Sequence, residues 1–191
     1  LVSSIEETGK YGVYIESEKK RLQPSRIKKL SNSDNPEETL DKIIRLEART
    51  LDKLIDSYKF LSEFEEDICL VVIDSFTGVF RMSGKFDERQ NLSARSDEMG
   101  KHFRKLDEIS EILHCPIIVT GQVYGEPTAY GTETPWGGKL FLHQITFLMN
   151  TQNAKGDLKR LVIKHHPAKD LQKYLFSIRD DGLYVEEAED K

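Results

Sequence analysis

The chain has 191 residues, 38% of them hydrophobic, which is the length of one ordinary domain with apolar content enough for a single core. Its 33 acidic against 28 basic residues give a formal net charge of −5, so the chain as a whole repels a phosphate backbone and only local basic segments attract one. The longest apolar stretches are strand-sized, far short of the roughly 20 residues of a membrane span, and the start LVSSIEETGK lacks a signal-peptide pattern, so a soluble, cytoplasmic protein with no membrane partner is expected.

In chain order, residues 12–16 read as a short strand and residues 24–30 as a helix, with Pro24 at the first turn where its missing N–H costs nothing. A polar loop follows over residues 31–36, and Ile43, Ile44 and Leu46 suggest a second short strand. Leu51, Leu54, Ile55, Tyr58, Leu61 and Phe64 recur at helical spacing and predict an amphipathic helix. The segment LVVIDSFTGVFR, residues 70–81, is an apolar run that stops at Asp74 and Ser75. Strands buried on both faces read as near-continuous Val, Ile and Leu, and ligands of such sheets sit outside the carboxyl ends of the strands. A carboxylate at that position is aimed at a ligand; the alternative is that Asp74 caps the following turn.

Further along, Met99, Phe103, Leu106, Ile109 and Leu113 mark a helix face, and residues 116–120 give another buried strand. Strands alternating with helices imply parallel crossovers. After Ile145 the pattern changes to three strands, near 145–151, 159–164 and 174–179, joined by turns at 153–157 and 180–182, which predicts antiparallel hairpins closing one edge. One core domain is expected over 1–185, with 186–191 as a disordered acidic tail. Cys69 and Cys115 lack any zinc-type spacing and are read as buried core residues.

Six segments in this order carry a resemblance: YIESEKKRLQPSRI (14–27), LVVIDSFTGVFR (70–81), NLSAR (91–95), IIVTGQV (117–123), PWGGKL (135–140) and VIKHHPAKDLQKYLFSI (162–178). Together they resemble the RecA/RadA recombinase superfamily and, within it, the short archaeal RadB-like paralogues. The implied fold is α/β, a RecA-like ATPase core with a mostly parallel twisted sheet flanked by helices and C-terminal antiparallel strands at one edge. The implied cofactors are ATP and Mg²⁺, and the implied partners are single-stranded DNA and either a further copy of the chain or a RadA-type recombinase.

The resemblance also implies residue roles. Glu18 matches the glutamate that polarises the attacking water, although Lys19 and Lys20 stand where relatives often carry Gly or Thr; a solvated surface acid is the alternative. Asp74 matches the aspartate that holds Mg²⁺, usually through water, with Ser75 beside it at the nucleotide. Gln122 matches a glutamine that senses the γ-phosphate, an amide suiting that role because it both donates and accepts; a satisfied strand-end amide is the alternative. Lys164, His165 and His166 resemble the segment that reaches a neighbouring subunit's nucleotide, or else form a polar edge strand beside Pro167. Arg26 matches a Pro-x-Arg stretch that orders the catalytic loop, or is a solvated helix arginine.

Two loops are implied to bind DNA. The first, 81–95, carries Arg81, Lys85, Arg89 and Arg95 against Asp87 and Glu88, and is positive in an acidic chain. The second, 124–136, offers Tyr124, Tyr130 and Trp136 as rings for stacking on unpaired bases, with no Lys or Arg of its own. Both also read as ordinary surface loops. No G-x-x-x-x-G-K-[ST] occurs in the 191 residues, so the phosphate-cradling loop is expected upstream of Leu1 in a longer protein, and Mg-dependent ATP hydrolysis is expected if it is present there. The alternative is a variant that does not bind ATP in the usual way. The function expected is DNA repair and homologous recombination with weak DNA-dependent ATPase; the alternatives are an accessory recombination mediator without significant hydrolysis and a ring-forming RecA-fold signalling ATPase that binds no DNA.

Overall fold

The computed structural model describes residues 1–18, 22–83, 92–124, 134–135, 145–168 and 172–189, in two compact units, Leu1–Phe141 and Leu142–Lys191. In the first unit the elements run α1 (Val2–Thr8), β1 (Tyr11–Glu16), α2 (Pro24–Leu30), α3 (Pro36–Asp41), β2 (Ile43–Glu47), α4 (Leu51–Glu63), β3 (Ile68–Asp74), α5 (Phe76–Met82), α6 (Leu92–Leu113), β4 (Ile117–Val119), β5 (Val123–Tyr124) and β6 (Thr134–Pro135).

Four of these strands form one sheet in the order β2-β1-β3-β4, and every pair in it is parallel. Parallel pairing follows from the helices inserted between successive strands, because a tight turn cannot return a strand to the same direction. The register aligns the carboxyl ends: Glu16 lies opposite Glu47 on one side and Asp74 on the other, and Ile73 lies opposite Val119. Val13, Ile15, Val71 and Ile73 are fully buried, as are Leu54 and Leu61 of α4 and Ile109 of α6. At Gly12 a Cβ would stand 2.6 Å from Leu1 Cδ1 and 2.8 Å from Ile5 Cδ1, so glycine there lets α1 lie directly on β1. Glu6 then ties α1 to the following loop and to α3, accepting from Ser31 Oγ (2.5 Å), the Asn32 N–H (3.2 Å) and Thr39 Oγ1 (3.2 Å). These donors, Ser31 first, hold its carboxyl below the usual glutamate range.

An aromatic cluster seats α5 against its neighbours. Phe76 and Phe80 of α5 lie 5.1 Å apart, Phe103 of α6 is 4.8 Å from Phe76, and His102 stands edge-on to Phe80 at 5.2 Å. His102 is buried, with Nδ1 3.1 Å from the Tyr58 hydroxyl of α4 and Nε2 3.8 Å from Glu98. Burial lowers its pKa, Lys101 adds to that, and Glu98 opposes it. Because the folded pKa is depressed, the unfolded chain binds the proton more readily. This group's stabilisation is therefore complete above the unfolded value of about 6.5 and is lost as pH falls through the folded value. The urea midpoint of the parent protein is expected to drop between about pH 7 and about pH 5 by more than that of His102→Asn. Equal slopes would remove His102 from the account.

The second unit holds β7 (Leu148–Asn153), β8 (Lys159–His165), β9 (Gln172–Arg179) and β10 (Gly182–Glu189), an antiparallel sheet in the order β10-β9-β8-β7. The β7–β8 turn closes with the Ala154 N–H on the Leu158 carbonyl, and Gly156 takes the left-handed conformation (φ +68°) that favours glycine.

Several expectations need correction. Glu186–Glu189 are not a disordered tail but the end of β10, where Glu187, Ala188 and Glu189 lie opposite Leu175, Tyr174 and Lys173. The acidic run is held because Glu186 accepts from Ser177 Oγ (2.8 Å) and Arg179 (3.0 Å) on the neighbouring strand. Residues 190 and 191 lie outside the described residues. Two short helices, α3 and α5, occupy segments for which the sequence reading named no element, and Cys69 is half-buried while Cys115 is buried. No helix among the described residues is long and apolar enough to cross a membrane.

Candidate functional site

The ends of β1 and β3 are stitched together residue by residue. The Ser17 N–H donates to the Asp74 carbonyl (2.9 Å), Ser17 Oγ donates to the Ser75 carbonyl (2.6 Å), and the Ser75 N–H returns a bond to Ser17 Oγ (2.9 Å). The Asp74–Ser75 peptide bond is cis. Ser75 caps α5, its Oγ accepting from the Gly78 N–H (3.2 Å) and donating to Glu18 Oε1 (2.7 Å). Glu18 is thus drawn to the residue next to Asp74. Gly78 makes that approach possible, since a Cβ there would meet Ser75 Oγ at 2.7 Å, Glu18 Oε1 at 3.1 Å and Ser17 Oγ at 3.2 Å.

Asp74 is oriented by hydroxyls at both oxygens. Tyr14 OH of β1 donates to Oδ2 and Thr120 Oγ1, just past β4, to Oδ1, each at 2.7 Å, so the donors come from either side of β3. Burial, and then the bond and charge of Asp74, push the Tyr14 phenol well above the usual tyrosine range, so it remains a proton donor at every physiological pH. A carboxylate held this way still has a free acceptor direction on each oxygen and presents hard oxygen donors. Among the described residues no group of three or more His, Cys, Asp or Glu forms a metal cage. That combination fits magnesium, which keeps most of its waters and takes one or two carboxylates beside substrate phosphates.

Beside Asp74, Glu16 is 1% exposed, and its Oε2 accepts from Arg45 Nε (2.8 Å) and lies 2.7 Å from Arg45 Nη2. Its Oε1 has no hydrogen-bond partner among the described residues. Arg45 also bonds Glu47 (3.0 Å), which Arg49 approaches at 3.4 Å. Charges therefore line the carboxyl ends of β2 and β1 as well as β3.

Gln122 is placed by α5. After Thr120 exchanges backbone bonds with the β3 exit, donating to Ile73 O (3.0 Å) and accepting from the Phe76 N–H (2.9 Å), the Gln122 N–H donates to Thr77 Oγ1 (3.1 Å). Its side-chain carbonyl accepts from the guanidinium of Arg81.

The structure therefore brings Glu18, Asp74, Ser75 and Gln122 to one end of the sheet. Arg81 and Arg95, expected in a DNA-binding loop, lie instead in helices α5 and α6, because Phe76 and Phe80 bury the first of these and Met99 and Phe103 the second. Lys85 and Arg89 lie outside the described residues, as do Tyr130 and Trp136; Tyr124 is in β5, paired with Thr134. Arg26 is in α2. Lys164 and His165 are exposed on β8 of the second unit, and His166 follows, its Nδ1 accepting from the Ala168 N–H (3.0 Å) with its ring edge-on to Phe147 at 5.1 Å. Tyr14, Thr120, Glu16 and Arg45 were not singled out from the sequence. A hydroxyl or a charge closing an apolar strand was the available signal.

The family model for Rad51 matches residues 3–186. The chain belongs to the Rad51 family. As a Rad51-family chain it is 31% identical over 119 residues to the DNA repair and recombination protein RadA of Methanococcus maripaludis, an alignment covering 61% of this chain and 36% of that protein. It is 27% identical over 175 residues to the DNA repair and recombination protein RadB of Thermoplasma acidophilum, covering 91% of this chain and 72% of RadB. The chain thus spans 36% of the length of that RadA relative. Among solved structures, the crystal structure of the RadB recombinase superposes with a TM-score of 0.73 at 22% identity, over 93% of this chain and 79% of the other. The likeness shows the fold: a RecA-like α/β core with a parallel sheet flanked by helices, plus an antiparallel sheet.

Proposed function

We propose that this chain belongs to a cytoplasmic DNA repair and recombination protein of the RadB/RadA type that binds ATP with Mg²⁺, binds single-stranded DNA, and hydrolyses ATP weakly and in response to DNA. The observation that carries the reading is the Asp74 carboxylate, held by Tyr14 and Thr120 at the carboxyl end of β3, with Glu18 bonded to the adjacent Ser75. Two acids and a bridging hydroxyl at the ends of adjacent parallel strands suit in-line attack of water on a phosphoryl group.

Asp74, fixed by Tyr14 and Thr120, would hold the magnesium through its waters. Magnesium, when bound, offsets negative charge on the phosphates. Glu18 accepts a proton from the attacking water, and Ser75, which donates to Glu18 Oε1, fixes the direction of the other oxygen. Gln122 senses the phosphate with an amide that donates or accepts as the phosphate leaves. Lys164, His165 and His166 supply cationic or hydrogen-bonding groups to the nucleotide of an adjacent subunit, through self-association or a RadA-type recombinase. Arg81, Lys85, Arg89 and Arg95 meet DNA phosphate, and Tyr124, Tyr130 and Trp136 stack on bases.

The test is phosphate release from ATP by the polypeptide as it is encoded, with and without oligo-dT, alongside fluorescence-anisotropy binding of the same DNA over a salt series. DNA-stimulated, magnesium-dependent release that Asp74→Ala abolishes, and DNA affinity that falls with salt, support the reading. Affinity for DNA without hydrolysis shifts it to an accessory mediator. Hydrolysis with no DNA affinity at any salt overturns the recombination role in favour of a ring-forming ATPase.

A further inference from the structure

The two cysteines take no part in the chemistry above, yet the parallel sheet sets them opposite each other. β3 and β4 pair with Val71 opposite Ile117, Val72 opposite Ile118 and Ile73 opposite Val119, and the Val71 N–H donates to the Pro116 carbonyl (3.2 Å). Carried back along both chains, the same register places Cys69 of β3 opposite Cys115, just before β4. Neighbouring strands lie about 4.8 Å apart, inside the range of about 4.4–6.8 Å between Cα atoms that a disulfide spans. The electrostatics agree: burial, and then the Cys69 thiol, push the Cys115 thiol up to about 11, while Lys10 opposes them. Cys115 is anchored, its carbonyl accepting from Ser110 Oγ of α6 (2.8 Å). Cys69 is freer to adjust, because the β1 register slips beside it: Tyr11 lies opposite Ile68 and Gly12 opposite Leu70, which leaves Cys69 no partner on β1.

We propose that Cys69 and Cys115 form a peroxide-sensitive dithiol, which oxidises to a disulfide joining β3 to β4 and is restored by thiols. Cys69 is half-buried and Cys115 buried, so the oxidant meets Cys69 first. The Cys69 sulfur attacks one oxygen of hydrogen peroxide, giving a sulfenic acid and water. The Cys115 sulfur then displaces the hydroxyl, which takes up the thiol proton and leaves as a second water. Two thiols are oxidised to one S–S bond and one peroxide is reduced.

The geometry makes the bridge reversible. Paired residues on neighbouring strands hold their Cβ atoms about 4.5–5.5 Å apart, wider than a disulfide's preferred separation of about 3.5–4.5 Å, so the bond is strained and readily reduced. Its position gives it reach into the candidate site. Asp74 stands as far along β3 from Cys69 as Thr120 stands beyond Cys115, and those two side chains meet at 2.7 Å. A bridge at the start of the two strands fixes their separation, and with it the separation at which Thr120 meets Asp74.

The test treats the reduced protein with hydrogen peroxide in native buffer and digests it without reductant. A Cys69 peptide joined to a Cys115 peptide, two hydrogens lighter than the separate pair, is expected, and dithiothreitol should return both. In Cys115→Ala the Cys69 sulfenic acid should persist and be trapped by dimedone, whereas in Cys69→Ser the Cys115 thiol should stay unmodified. The urea midpoint of the oxidised parent is expected to rise by about 1 M, because the bridge restricts the unfolded chain, and neither single variant should show the rise. Peroxide that leaves both thiols free in the native parent overturns the proposal, as does linkage of Cys69 to a second chain in place of Cys115. A bridge that forms only after unfolding in urea also overturns it, because the folded strands then hold the two sulfurs apart.

Discussion

Replacing Glu18 with glutamine is expected to lower ATP hydrolysis by about 10²–10⁴-fold, the contribution ordinarily made by a positioned acid–base group. The change is nearly isosteric, and the amide carbonyl still accepts the bond that Ser75 Oγ now gives to Glu18 Oε1. Folding, the α5 cap and DNA affinity should therefore be retained, and only the ability to take a proton from water is lost. Single-turnover hydrolysis beside a DNA-binding titration separates these effects. Activity close to the parent's would remove Glu18 from the chemistry, and an equal fall in DNA affinity would point to collapse of the β1 exit instead. Gly78 supplies an internal comparison, because any side chain there intrudes on Ser75 and Glu18 together.

Arg45→Met is expected to destabilise the protein by about 3–5 kcal/mol, the range for a buried carboxylate that loses its ion-pair partner. Glu16 is buried and its Oε1 is already unpartnered among the described residues, so Arg45 satisfies the one oxygen that is paired. Met keeps the apolar stem of arginine and isolates the loss of charge from loss of packing. Adding Glu16→Gln in the same chain should recover much of the loss, because a neutral amide leaves no buried charge. Urea unfolding of the two single variants and the double variant measures this. If Arg45→Met unfolds at the parent's midpoint, water reaches Glu16 and the pair contributes little. The result bears on function because Glu16 is the register partner of Asp74, and a shift at the end of β1 displaces Glu18 as well.

Much of the first unit was legible from the chain. β3 was readable because a strand covered on both faces must be apolar nearly throughout, and α4 because its buried residues recur at helical spacing. The place of Asp74 was legible for the same reason: a charge that ends such a run can lie only at the strand's exit. α5 was less legible, since seven residues are too few for a periodic pattern, and burial of Phe76 and Phe80 depends on rings from α6. β10 was misread because acidic composition was taken as solvation, whereas Ser177 and Arg179 on the adjacent strand bond Glu186.

By itself the sequence determined β3, α4 and the place of Asp74 at a strand's exit, because apolar periodicity and the ends of apolar runs are local properties. The tertiary structure alone decided the partners. Asp74 meets Tyr14 and Thr120 across separations of 60 and 46 residues, and Arg81 meets Gln122 across 41. Such meetings are set by strand order and register, which depend on how all the buried faces pack at once; a shift of one residue in β1 would turn Tyr14 and Glu16 to the opposite face of the sheet and leave Asp74 without its donor from β1.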